Sequence, residues 1–264
     1  MQWDRIRVMP VAYHDNLPNK PLVEAILEIK WGEQTQPDPA YPIIVGRLYE
    51  KVREAYPVIE DLPVVQVPPN MTIHVVRHRF RASEDGWPLI QVGPGVVTLN
   101  TTESYQWPGF RDRALALHPH IKESHTKPEA LNVTSLVLRY IDAVEVDSEQ
   151  MDMRDFLKRK LHIDVSAPDI LFEGQPVENR LTDAIVQLSF PTTSPSGQVQ
   201  LAISTGQKGG KPAVVWNTLL LSAGTDAQKG WEDFAGWLDA AHSVLHHWFF
   251  ALIQGDLYEG FARA

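Results

Sequence analysis

Residues 89–107 read "LIQVGPGVVTLNTTESYQW", and the fold turns on how the Gly-Pro-Gly inside this stretch is understood. A phosphate cradle sets its glycines between a strand and a helix N-terminus, so that backbone N–H groups converge on the anion. Here the apolar pattern resumes straight after Gly95 as "VVTLN", and no Lys-Ser or Lys-Thr follows. The stretch joins strand to strand, and it reads as scaffold: a bulge or kink within one β segment, "PLIQVGPGVVTLN".

Outward from this point the pattern is regular. Upstream, "MTIHVVRHRFRA" reads as a strand, turned by "SEDGW" at Asp85-Gly86 into the Gly-Pro-Gly segment. Downstream, "YQWPGFRDRALALH" reads as a helix with Pro108 in its first turn, and "LNVTSLVLRYIDAVEV" as a long strand. Nearer the start, "PLVEAILEIKW" puts Val23, Ala25, Leu27 and Ile29 on one side and Glu24, Glu28 and Lys30 on the other, the period of a half-buried strand. "IIVGRLYEKVREAY" spaces Ile44, Leu48, Val52 and Ala55 as on a helix that Pro57 ends. Residues 21–147 therefore read as β-α-β-β-α-β, a ferredoxin-like half, preceded by an irregular segment at 1–20.

Residues 148–264 follow another pattern. A short basic helix, "MRDFLKRKLH", precedes three strand candidates, "TDAIVQLSF", "GQVQLAIST" and "AVVWNTLLLSAG", joined as an antiparallel β-meander. The chain then reads as one long C-terminal helix with a stripe of Trp231, Phe234, Leu238, Ala241, Leu245, Trp248 and Leu252. No linker divides the halves. The expectation is an α+β fold packed as one continuous unit.

Composition narrows the function. With no cysteine, thiolate catalysis, disulfides and Cys-ligated metals are excluded. A net charge of −9 disfavours nucleic acid and anionic membranes unless a local basic patch exists. No uncharged run approaches the roughly eighteen residues of a membrane span, and the start lacks the pattern of a signal peptide, so a cytoplasmic bacterial protein is expected.

Several clusters carry candidate chemistry. Arg77, Arg79 and Arg81 alternate on one strand face and could grip phosphates or carboxylates; the plainer alternative is a solvated face paired with acids. "GQKGGKP" holds Lys208 and Lys211 in what reads as a flexible hairpin tip. His118, His120 and His125 cluster, and His242 and His246 stand four apart beside Asp239, but no third ligand set completes a metal site, and no metal or cofactor is expected. There is no G-x-S-x-G elbow, Walker loop, G-x-G-x-x-G or EF-hand, so no catalytic residue is assigned.

Three blocks, "NKPLVEAILEIKW", "LIQVGPGVVTLNTTESYQWPGF" and "LVLRYIDAVEV", resemble a sporadically distributed bacterial family of uncharacterised proteins of roughly this length. Its Pro-Leu-x-Glu, Gln-x-Gly…Asn, Tyr-x-x-Trp-x-x-Phe and Arg-Tyr-Ile-Asn/Asp patterns fall here on Pro21, Leu22 and Glu24, on Gln91, Gly93 and Asn100, on Tyr105 and Phe110 with Trp107 one position off, and on Arg139 to Asp142. The resemblance implies no substrate and no catalytic residues. Its patchy distribution implies an accessory role in a defence or toxin–antitoxin system. It also draws attention to Tyr105, Arg139 and Asp142, polar groups in apolar surroundings. They read first as a buried Arg–Asp network and second as a small polar pocket between the lobes.

The helix of the C-terminus carries a second apolar set off its stripe. Trp237, Val244 and Phe250, with His247 beside them, are expected to meet the N-terminal lobe, a second copy of the chain or a partner protein. The function read from all of this is a non-catalytic binding or assembly protein. The alternatives are an RNA-binding or RNA-processing protein that uses the ferredoxin-like sheet, and a metal-dependent hydrolase of unrecognised type.

Overall fold

A computed structural model describes residues 17–33, 35–36, 38–102, 104–147 and 151–263. Most of the segment expected to be irregular at 1–20 lies outside the described residues. The described residues form a mixed α+β structure built on one antiparallel sheet of nine strands. In chain order these are β1 (Leu22–Trp31), β2 (Val58–Asp61), β3 (His78–Arg81), β4 (Leu89–Gly93), β5 (Val96–Thr101), β6 (Val133–Glu145), β7 (Val186–Thr193), β8 (Ser196–Lys208) and β9 (Lys211–Ala223). The helices are α1 (Tyr41–Val52), α2 (Trp107–Ser124), α3 (Met153–Lys160), α4 (Thr225–Glu232), α5 (Phe234–Leu252) and α6 (Asp256–Ala262).

The strand order β2-β3-β4-β5-β1-β6-β9-β8-β7 has a simple logic. β1 and β6 pair at the centre, and each is followed by a helix and then by a meander that starts at one outer edge and steps inward to rest on its own first strand. The two halves thus repeat one topology and share a sheet without a seam. One buried row crosses it through cross-strand partners: Phe80, Ile90, Leu99, Leu27, Leu138, Leu220 and Val199. The helices cover this face. The opposite face carries partly exposed polar residues such as Glu28, Lys30, Arg79, Gln91 and Gln200.

Two sequence expectations are corrected here. The Gly-Pro-Gly stretch is a tight hairpin, not a kink: Gly93 pairs with Val96 across Pro94 and Gly95. Proline pre-sets the first turn position and Gly95, at φ +73°, supplies the left-handed second one. Together with the short β2, this adds two strands to the run expected as βαββαβ. The expected single C-terminal helix is also interrupted. Asp233 stands outside helical geometry at φ −109° and ψ 61° and caps α5 by accepting from the Gly236 N–H. Gly255, at φ +83°, separates α5 from α6.

The helix side of the sheet holds two apolar clusters. The larger joins α1, α2, α4 and α5 to the central strands. The second gathers α3, α6 and the end of α5 around Trp216, Leu201 and Ile203. Trp248 packs against both clusters.

Candidate functional site: an aromatic cleft over a buried aspartate

At the seam between the clusters, α5 and the start of α2 leave a cleft of about 370 Å³ above the middle of β6. β6 supplies Tyr140 and Asp142, two residues apart and therefore on one face of the strand. The segment entering α2 supplies Tyr105 and Trp107, α5 supplies His242, His246, Phe249 and Phe250, and Lys20 stands where the chain enters β1. The walls are mainly apolar and the polar groups few, which is the usual make-up of a small-molecule site.

A chain of hydrogen bonds runs along one wall. The Tyr105 and Tyr140 hydroxyls lie 2.8 Å apart, and the Tyr140 hydroxyl lies 3.0 Å from His242 Nδ1. Which atom donates in each depends on the His242 tautomer. Trp107 stacks on the His242 ring with centroids 3.7 Å apart. Lys20 donates to the Tyr105 carbonyl oxygen at 2.9 Å. Arg111 grips Asp239 through two bonds and clips α2 to α5 beside the cleft. Burial raises both tyrosine hydroxyls well above their ordinary range, so they stay neutral. Tyr140→Phe leaves Tyr105 and His242 without this shared partner, and a loss of roughly 1–2 kcal/mol in stability is expected from urea unfolding.

Asp142 is the unusual group. It is 1% exposed, and its Oδ2 has no hydrogen-bond partner among the described residues. Burial pushes its carboxyl up to about 8, with the positive charge of Lys208 pulling the other way. Its cross-strand neighbours on β9 are also unusual: Trp216 faces Asp142 and Thr218 faces Tyr140, and the buried Trp216 indole N–H and Thr218 hydroxyl likewise have no partner among the described residues.

The residues singled out in the sequence are thus redistributed. Tyr105 and Asp142 do meet at one cleft. Arg139 does not join them, because residues three apart on a strand face opposite ways; among the described residues no Arg139–Asp142 network forms, and the buried Arg139 Nε has no partner. Arg77 is buried under the loop before β3, bonded to Thr72 Oγ1 at 2.6 Å and to the Val65 carbonyl at 2.7 Å. Arg79 and Arg81 both pair with Glu60, and Arg79 also bonds Gln91. The three do not form a row of free guanidiniums. Lys208 and Lys211 close the β8–β9 hairpin across Gly209-Gly210; the first bonds the Ala143 carbonyl and the second Glu145.

Trp237 is buried in the larger cluster and donates to Ser222 Oγ at 2.9 Å, and Phe250 is buried in the second. The chain's own core takes up both, which leaves half-buried Val244 and exposed His247 of the expected interface set. Among the described residues, no three His, Asp or Glu side chains are grouped to hold a metal ion; Asp239 is committed to Arg111, and His118 stacks on Phe234 and bonds the Trp231 carbonyl. No helix among them is long and apolar enough to cross a membrane.

Sequence reasoning missed Tyr140, Trp107 and Lys20 as parts of one site, and considered His242 only as a metal ligand. One signal was available for Tyr140: its place two residues before Asp142 on the same strand.

No protein-family model matches the chain, and no curated protein matches it. Among solved structures the chain is similar to "Methanococcus jannaschii TBP", at 15% identity over 84% of this chain and 99% of that one, with a TM-score of 0.21. A superposition that loose says nothing about fold or function.

Proposed function

We propose that this chain is a non-catalytic binding protein and that the cleft over Asp142 is its ligand site. One observation carries the reading: a carboxyl group 1% exposed, with an unpartnered oxygen, forms the base of an otherwise apolar, aromatic-walled cleft. A buried polar group without a partner costs about 1–3 kcal/mol in a folded chain, and a ligand that meets it turns that cost into binding free energy. The Tyr105–Tyr140–His242 chain orients the wall and offers no activated nucleophile, since both hydroxyls are held neutral. A fragment library screened by protein NMR tests the proposal. Binders are expected to shift the Trp107 indole and His242 imidazole signals; binders that move only resonances outside the cleft would refute it.

The assembly side of the reading draws on another surface. Ile170, Leu171, Val177 and Ile185 are 56–82% exposed, and they lead into β7, an edge strand with no charged residue and with Phe190 exposed. Uncharged edges invite pairing, here over Val186–Phe190, since Pro191 has no N–H to donate. The occupant this supports is a second copy of the chain, because an antiparallel strand paired with its own copy is self-complementary. This replaces the C-terminal helix as the proposed homodimer surface; the accessory role in a cytoplasmic defence or toxin–antitoxin system rests on the sequence resemblance alone. Light scattering is expected to find a dimer that Ser189→Lys with Ile185→Glu converts to monomer; a wild-type monomer at high concentration would dismiss it. RNA binding through a ferredoxin-like sheet face has less support, given the pairing of Arg79 and Arg81 with Glu60.

A further inference from the structure

Resting on the reading of the cleft as a ligand site, we infer that its ligand is an organic cation: an ammonium or amidinium group seated on Asp142, carried by an apolar body lying among Tyr105, Trp107 and Phe249. The argument begins with counter-charge. Both lysines near the carboxyl are held by backbone carbonyls instead: Lys20 by Tyr105 at 2.9 Å and Lys208 by Ala143 at 3.1 Å. The two tyrosine hydroxyls bond each other and His242, not Asp142. Among the described residues no cation contacts this carboxyl, and a carboxylate buried alone is strongly disfavoured. A cationic ligand supplies what is missing and forms a charge-assisted bond in a mainly apolar cleft. The walls suit the same ligand, because aromatic faces attract cations through their quadrupoles. An anionic head would set a second negative charge beside a carboxyl that could then not ionise, and a purely apolar ligand would leave Asp142 Oδ2 unsatisfied.

The groups that set the charge balance around Asp142 are Lys208 from the β8–β9 hairpin, Lys20 before β1, Tyr105 before α2, Tyr140 on the same strand, and His242 and His246 on α5. With the Asp142 carboxyl raised to about 8 by burial, the free protein holds it mostly protonated at pH 7. Seating a cation on it then releases a proton to solvent.

Three probes with one body and different heads test the inference: 3-phenylpropylamine, 3-phenylpropanol and 3-phenylpropanoate, titrated at pH 7 by calorimetry in buffers of different ionisation enthalpy. The amine is expected to bind roughly tenfold or more tightly than the alcohol and to release close to one proton. Asp142→Asn, checked for native near-UV dichroism, is expected to erase both the amine preference and the proton release. Lys20→Met, which removes a like charge from the rim, is expected to strengthen amine binding. Equal affinity for amine and alcohol would overturn the cation while leaving the cleft as a site. A preference for the propanoate, lost in Lys20→Met, would overturn it in favour of an anion. Failure of all three bodies to displace binders found in the cleft also counts against the cation, whereas failure of any molecule to bind there sinks the parent proposal instead.

Discussion

Asp142→Asn is expected to raise stability at pH 8 by about 2–4 kcal/mol and to flatten most of the decline in stability between about pH 4 and pH 8. The carboxyl, ordinarily at 3.8, is pushed up to about 8 by burial. Below the lower value both folded and unfolded chains carry the proton, and Asp142 contributes nothing to the pH dependence. Between the two values the folded chain keeps a proton that the unfolded chain has lost, so stability falls as pH rises, by up to about 1.4 kcal/mol per pH unit. Above the upper value both are ionised and the full penalty applies. Asparagine carries no charge and escapes this penalty, but its amide N–H groups need partners, which returns roughly 1–3 kcal/mol. His118 works in the opposite direction. Burial lowers its imidazole, so the unfolded chain takes up a proton first and stability is lost as pH falls below about 6.5. Urea unfolding of both proteins at pH 5 and pH 8 separates the two groups. Parallel pH profiles for wild type and Asp142→Asn would show that the carboxyl does not titrate as its burial requires.

The parts of the fold that were legible are those where one face is wet. From Glu24 onward β1 alternates half-buried and buried residues as its period of two requires, whereas Val23, expected on the buried side, is exposed beside a register shift at the strand start. α1 buries Ile44, Leu48 and Val52, the helical spacing read from the sequence, whereas Ala55, read as the next turn of the same face, lies past the helix end and is exposed. β5 was not legible as a separate strand because all six of its residues are buried; without alternation, and with only Pro94-Gly95 between it and β4, the pair reads as one apolar run. β2 was hidden for another reason. It is four residues long and lies among prolines, and it is held by its pairing with β3 instead of by any pattern of its own. The break at Asp233 was masked by apolar spacing that continues through it, from Trp231 to Phe234.

The candidate site was legible in the same uneven way. Asp142 and Tyr105 stand out as polar groups in apolar segments. Their juxtaposition with His242 depends on α5 crossing β6, a contact between residues about a hundred positions apart, which no local period encodes. The Arg–Asp reading failed on a point that strand geometry alone decides, since a separation of three reverses the face. The Arg77, Arg79 and Arg81 row shared a face in the period, but the loop over Arg77 and the acid on β2 claimed its members one by one.

Gly93→Ala is expected to destabilise the protein by about 3–5 kcal/mol, among the largest effects a single methyl group could have here. The reason lies in what surrounds the end of β4. A Cβ at Gly93 would stand 2.0 Å from the Val75 carbonyl oxygen and 2.7 Å from its carbon. Both are backbone atoms, so no side chain can swing away and the segment before β3 must retreat. That segment is tied to the hairpin on either side of Gly93: the Arg77 N–H bonds the Val92 carbonyl at 2.8 Å, and the His74 N–H bonds the Pro94 carbonyl at 2.9 Å. Moving it breaks these bonds and disturbs buried Arg77, whose guanidinium depends on Thr72 and Val65 in the same region. Gly109→Ala is the matched contrast. Gly109 is exposed in α2 and a Cβ there meets nothing within 4 Å, so a gain of roughly 0.5–1 kcal/mol is expected from helix propensity alone. Urea midpoints of the two variants should therefore move in opposite directions from the wild type. If Gly93→Ala unfolded within about 1 kcal/mol of the wild type, the packing of residues 74–77 against the hairpin would have to be abandoned, and with it the placement of Arg77 in the interior.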